Sequence, residues 1–207
     1  MAHAVGIMGG TFDPVHYGHL LAAEGARIRF ALERVMFVPN GQPPHKKDYP
    51  VSPARYRYEM VVLATASNPA FQVSRLEVDR AGPSYAVDTL RELQEGFGAG
   101  RKLYFITGAD AVLELLTWRD PEKLVEACEF IAVTRPGYDL GRLEQTLSAG
   151  LRARVHVLDM AGVYISSTEL RRRAAAGESL RYLTPASVVR YIAAHGLYSE
   201  GEKAVGN

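Results

Sequence analysis

The sequence has a single cysteine, Cys128, set in an apolar stretch ahead of a predicted strand. One cysteine cannot close an internal disulfide, so a reducing compartment and a packing role for the thiol are expected. No apolar run approaches the roughly 20 residues of a membrane span, and Met1–Met8 lacks the basic segment and long apolar core of a secretory leader. The expectation is a cytoplasmic protein with no membrane partner. Charge of one sign is not in excess either: the formal net charge is +1, which leaves no electrostatic footprint for nucleic acid. There is no Gly-x-Ser-x-Gly elbow, and no pair of histidines four apart with a Glu beside the first. Neither a serine nucleophile nor a metalloprotease zinc site is therefore announced.

What is present is a chain of 207 residues, 47% apolar and 23% charged, which excludes intrinsic disorder and suffices for one substantial core. We read residues 1–207 as a single domain with a small helical C-terminal part at about 166–200. The sequence leaves a homo-oligomer open.

Residues Val5 to Leu20 organise the rest. The apolar run Ala4–Met8 predicts a short buried strand ending at Gly9-Gly10, and Leu20, Leu21, Ala23 and Ala26 begin a helix-spaced pattern. A turn without side chains at Gly9 and Gly10 would let the backbone N–H groups of Thr11 and Phe12 approach a ligand. The positive end of the following helix points the same way, which suits an anion such as phosphate. His16 and His19, three apart at the helix start, project from one face toward that turn, with Gly18 opening space between them. Two readings fit such a pair: helix-capping or surface histidines beside a structural turn, or two N–H donors converging on an anion.

Strands and helices then alternate. Strands are predicted at Arg34–Pro39, Phe71–Val78, Lys102–Gly108, Glu129–Thr134 and Ala153–Leu158; helices at Ser52–Ala66, Ser84–Leu93 and Leu140–Leu147, with Tyr56, Met60 and Leu63 as core positions. A strand-turn-helix start followed by this alternation predicts an open, doubly wound parallel sheet, with the ligand outside the carboxyl ends of the strands. Asp110 lies just past the strand ending at Gly108, where it would bind a ribose or cap the next helix. Trp118, the only tryptophan, follows Leu113, Leu115 and Leu116 on that helix, where a core position is expected. Asn40–Pro50 is a long loop with a His45-Lys46-Lys47 cluster, and Arg135-Pro136-Gly137 is a turn. Ser166 and Glu169 fit a capping box for a helix starting at Ser167. Three hydroxyl residues, Ser166, Ser167 and Thr168, with Arg171 one turn on, also make a plausible polyphosphate receptor.

The stretch Gly9-Gly10-Thr11-Phe12-Asp13-Pro14-Val15-His16-Tyr17-Gly18-His19 resembles the H-x-G-H nucleotidyltransferase superfamily, whose members join a nucleoside triphosphate to a phosphorylated acceptor and release pyrophosphate. Within it the chain is most similar to the bacterial nicotinate-nucleotide adenylyltransferases, through motifs spread from Gly9 to Tyr198. That resemblance implies a Rossmann-like nucleotidyltransferase fold and transfer of AMP from ATP to nicotinate mononucleotide. It implies ATP contacts at Gly9, Gly10, Thr11, Phe12, Gly108, Asp110, Arg135, Ser166, Ser167 and Thr168, with His16, His19 and Arg171 on the phosphates. It gives Lys46 the acceptor phosphate, Trp118 the pyridine ring, and Tyr85 and Ala86 the neighbourhood of the nicotinate end. Ala86 departs from the family's threonine, so a hydroxyl contact is missing there. Magnesium is expected through the ATP phosphates, with no protein metal site. An enzyme preferring nicotinamide mononucleotide, or accepting both, is the alternative; a nucleotide sensor without turnover is a third.

Overall fold

The computed structural model describes residues 4–43, 51–98, 100–134, 138–139, 141–160 and 164–199. Among these, six parallel strands form one sheet. β1 (Ala4–Gly10), β2 (Arg34–Pro39) and β3 (Phe71–Val73) make one half; β4 (Lys102–Gly108), β5 (Glu129–Val133) and β6 (Val155–Leu158) make the other. The spatial order is β3-β2-β1-β4-β5-β6. Between the strands run α1 (Tyr17–Arg29), α2 (Ala54–Thr65), the single turn α3 (Leu76–Asp79), α4 (Ala86–Phe97), α5 (Ala109–Leu113), a 3-10 turn at Leu115–Thr117, α6 (Pro121–Ala127), α7 (Gly141–Thr146) and α8 (Ala149–Arg152). α9 (Ser167–Ala175) and α10 (Ala186–Ala194) follow β6.

The strand order reverses between β1 and β4, which pair directly from Ala4↔Lys102 to Met8↔Ile106. In an open parallel sheet such a reversal leaves a crevice at the carboxyl ends of the two strands, here Gly10 and Gly108. Both strands read as continuous apolar runs because both faces are covered. Successive side chains of a strand face opposite ways, and the core divides accordingly. Met8, Tyr104, Ile106 and Ile131 join α1, α2, α9 and α10 on one face, with Ala22, Ala23, Met60, Leu170, Val188 and Ile192. Val5, Ile7, Leu103, Phe105 and Phe130 join α4 to α8 on the other, through Leu90, Leu93, Val112, Leu124, Leu143 and Leu151. The two C-terminal helices thus share a core with α1 and α2.

Some expectations are corrected. The segment Phe71–Val78 is not one strand. Only Phe71–Val73 pairs with β2; the Ser74 N–H still donates to the Phe37 carbonyl at 2.9 Å, and the Ser74 hydroxyl then accepts the Leu76 N–H at 3.2 Å. That local bond offers the backbone a turn in place of the ladder, and α3 follows with Glu77 buried. Pro53 is the N-cap of α2, one position before the first helical residue, and Leu63 is exposed. α4 begins at Ala86 with Tyr85 as its N-cap.

Candidate active site

Gly9 and Gly10 are not turn residues: they are the last two of β1, paired with Val38 and Pro39. Their lack of side chains has a packing reason. A Cβ on Gly9 would stand 2.9 Å from Phe105 Cζ, and one on Gly10 would stand 3.0 Å from Phe12 Cζ. The turn comes next, at Thr11 to Val15, where Phe12 takes a left-handed φ of 52° and the Asp13–Pro14 peptide is cis. A non-glycine residue holds that conformation only where its surroundings fix it. Phe12 is buried, with its ring 5.8 Å from Phe37 and 5.0 Å from His19, centre to centre.

His16 is the N-cap of α1 and His19 the third helical residue, so one helical turn brings the rings together. They stack at 3.7 Å with 24° between planes. His19 Nδ1 accepts the backbone N–H of His16 at 3.2 Å. A neutral imidazole that accepts at Nδ1 carries its proton on Nε2, so this bond fixes the tautomer. Gly18 is explained differently from the sequence reading: a Cβ there would lie 3.0 Å from the His16 ring itself.

The turn is tied down from three directions. Arg57, buried in α2, donates to the carbonyls of Ser52 at 2.8 Å, Thr11 at 2.8 Å and Gly41 at 2.9 Å. Buried Asp13 accepts the Ser52 N–H at 3.2 Å and the Tyr198 hydroxyl at 2.7 Å. Burial, with the Asp13 carboxylate beside it, raises the Tyr198 phenol far above its usual range. From α9, Arg171 Nη1 donates to the Asp13 carbonyl at 2.7 Å, and the Ser167 hydroxyl donates to the Pro14 carbonyl at 2.9 Å. Ser166 is the N-cap and accepts the Glu169 N–H at 3.2 Å. The capping box is completed on that side only, for Glu169 accepts from Arg172 at 2.9 Å and Arg173 at 2.8 Å, which hold its carboxyl down at about 2. His16, His19, Ser167 and Arg171 are thus gathered around one turn.

A cavity of about 360 Å³ opens beside the ends of β1 and β4. Gly9, Gly10, Thr11, Tyr85, Ala86 and Trp118 all line it, joining the β1 end to the predicted acceptor residues. Trp118 closes the 3-10 turn instead of riding a helix, and its ring meets Phe105 edge-on at 5.9 Å. Two predicted residues fall elsewhere. Gly108 caps α5 without lining the cavity, and the Asp110 side chain is 68% exposed, 3.8 Å from Arg142 Nη1. Asp110 sits on the first turn of α5, and its exposed carboxylate points to solvent and Arg142. Lys46 and Arg135 lie outside the described residues.

Sequence reasoning missed Asn40, Glu77, Ser84, Phe105 and Arg119, which also line the cavity. Glu77 is buried and accepts from Asn40 Nδ2 at 2.9 Å and from the Thr89 hydroxyl at 2.6 Å; Arg80 donates to Thr89 and Glu92. A strand reading of Phe71–Val78 hid this carboxylate among alternating residues. Arg57 offered only one signal, an arginine placed between apolar positions of a helix.

Residues 7–173 match the cytidylyltransferase-like family. A protein of Moorella thermoacetica named "probable nicotinate-nucleotide adenylyltransferase" is 56% identical over 197 residues, covering 94% of this chain and 91% of its own. The chain belongs to the nicotinate-nucleotide adenylyltransferase family. Another such relative, from Salinispora arenicola, is 52% identical over 193 residues, 93% of this chain and 100% of its own. Among solved structures, the Plasmodium falciparum nicotinic acid mononucleotide adenylyltransferase complexed with NaAD superposes with a TM-score of 0.78 at 19% identity, covering 95% of this chain and 97% of that one. The adenylyltransferase family therefore shares its fold across a wide sequence distance.

Apart from the buried Asp13 carboxylate, which Ser52 and Tyr198 engage, the functional groups around the turn of this adenylyltransferase-family chain are N–H groups, hydroxyls, imidazoles and a guanidinium. Their N–H and O–H donors and the Arg171 charge suit an anion. Among the described residues no group of three or more His, Cys, Asp or Glu is placed to hold a metal ion. A magnesium ion fits such a site when carried by a triphosphate and its waters.

Proposed function

We propose that the chain transfers AMP from ATP to nicotinate mononucleotide, giving nicotinate adenine dinucleotide and pyrophosphate, a step of NAD biosynthesis. The observation that carries this reading is the cavity shared by Gly9, Gly10 and Thr11 with Tyr85, Ala86 and Trp118. Trp118 lining the same cavity as the end of β1 supports its use as a platform for an aromatic ring, and the family names the pair of substrates to be joined.

The acceptor supplies the nucleophile. One oxygen of its 5′-phosphate attacks the α-phosphorus of ATP in line; the new P–O bond forms as the bond to the β-phosphate oxygen breaks, and pyrophosphate leaves with that electron pair. Catalysis is then mostly positioning and charge neutralisation. In this reading the amides at Thr11 and Phe12 and the Nε2–H of His19, with His16 stacked beside it, stabilise the α- and β-phosphates. Ser166, Ser167 and Thr168 at the start of α9, with Arg171 fixed against the Asp13 carbonyl, hold the β- and γ-phosphates. Lys46 serves the acceptor phosphate and Arg135 the adenosine side. Magnesium, bound to the triphosphate, supplies further neutralisation of phosphate charge. The Trp118 face stacks on the cationic pyridine ring, an arrangement worth roughly 0.5–2 kcal/mol. The reactants include ATP, and the lone buried Cys128, whose thiol burial pushes up to about 12, suits the reducing cytoplasm.

The test is pyrophosphate release from ATP and magnesium with nicotinate mononucleotide, nicotinamide mononucleotide or phosphopantetheine supplied in parallel. The acid should give the highest kcat/KM. A preference for the amide would overturn the acceptor assignment, and ATP binding without release on any acceptor would favour a sensor.

A further inference from the structure

Nicotinate and nicotinamide rings are nearly the same size and shape, so a pocket separates them chiefly by charge. With a pyridinium nitrogen in both, the acid ring is a zwitterion with no net charge, whereas the amide ring keeps a net positive charge. Ala86 brings no hydroxyl to this end of the cavity. Among the described residues lining the cavity, the charged side chains are Glu77 and Arg119. Glu77 is buried and engaged by Asn40 and Thr89. Arg119 is differently placed. It directly follows Trp118 and lies over the Tyr85 ring, its guanidinium carbon 4.6 Å from the centroid. Its Nη1 stands 3.9 Å from Asp88 Oδ2, beyond hydrogen-bond length, and Asp88 also faces Arg91 at 3.6 Å. Asp88 is thus shared between two guanidinium groups and offsets Arg119 only in part.

We propose that Arg119, stacked on Tyr85 at the Trp118 end of the cavity, makes the site select a mononucleotide whose ring carries a carboxylate. The inference rests on the adenylyltransferase reading above. Arg119 acts on the two rings in opposite senses: it attracts the carboxylate of the acid and repels the uncompensated pyridinium of the amide. Stacking on Tyr85 orders the guanidinium before substrate arrives, so less side-chain freedom is lost on binding. Its side chain is 55% exposed, so water screens the interaction and the effect is moderate and sensitive to salt.

The experiment compares the full chain with Arg119→Gln and Arg119→Lys, measuring kcat/KM for nicotinate and nicotinamide mononucleotides at low and moderate ionic strength. Thermal melts of all three proteins confirm equal folding. The glutamine variant should lose about tenfold on the acid, the size of one partly screened charge pair, and gain slightly on the amide as the repulsion is relieved. The lysine variant should keep most of the preference, and added salt should narrow it in the unsubstituted protein. An unchanged acid-to-amide ratio in Arg119→Gln would overturn the proposal and assign selection to backbone donors. Equal losses on both substrates would also overturn it, leaving a packing role. An unsubstituted protein without acid preference would overturn the acceptor assignment itself, a result distinct from either.

Discussion

His19 is held on both sides, by the Phe12 ring and by the His16 ring, while its Nδ1 accepts the His16 N–H. One ring orientation and one tautomer follow, and the position of the remaining N–H is set by the helix and not by the ligand. A donor fixed in advance of the reaction is where charge stabilisation is largest. His19→Ala should therefore lower kcat by about 10²–10³-fold in the pyrophosphate assay, in line with loss of one such donor. The fold should persist, because the ring is a partly exposed residue at a helix start. The histidine pair was legible because the 3.6-residue period alone puts His16 and His19 on one face. The roles of Gly9, Gly10 and Gly18 were legible only in part. Absence of a side chain is visible in a sequence, but the rings of Phe105, Phe12 and His16 that require it come together only in three dimensions.

At the scale of elements, α9 combines an ordinary Ser166 cap with an ion-paired surface in which Glu169 serves Arg172 and Arg173, and Arg172 also serves Glu178. Those arginines lower the Glu169 pKa from 4.5 to about 2. A depressed carboxyl pKa contributes stability that is complete above its unfolded value and is lost as pH falls through its folded value. The contribution of this cluster should thus fade between pH 4.5 and about 2. Salt should weaken it, as for any solvent-exposed pair. Thermal melts across that range should show a shallower pH dependence for Glu169→Gln. The cap and the start of α9 could be read from Ser166-Ser167-Thr168-Glu169, since capping is local. The β3–α3 boundary could not. The segment alternates like a strand, and what ends the strand is the Ser74 hydroxyl turning back on Leu76 together with a burial site for Glu77.

On the scale of the whole molecule, the two faces of one six-stranded sheet carry two cores, and the turn after β1 is braced by residues from α2, α9 and the stretch after α10. The alternating strand and helix pattern revealed this architecture, because burial on both faces leaves near-continuous apolar strands. Nothing local revealed that Asp13 would be the buried meeting point. Tyr198→Phe removes the hydroxyl that donates to Asp13 Oδ1 and leaves a buried carboxylate oxygen without that bond. It should cost about 1–3 kcal/mol of unfolding free energy. The loss should appear in denaturant unfolding as an earlier midpoint of one cooperative transition, together with a raised KM for ATP, because the displaced turn is the one proposed to hold its phosphates.

The bond between Tyr198 and Asp13 joins positions 185 residues apart. During synthesis the segment proposed to bind phosphate leaves the ribosome 185 residues ahead of the side chain that braces it. Nascent chains stalled before this tyrosine clears the exit tunnel would carry every proposed phosphate ligand and still hold them loosely. Activity should therefore emerge late and abruptly with chain length, so that unfinished copies neither consume ATP nor compete for the mononucleotide.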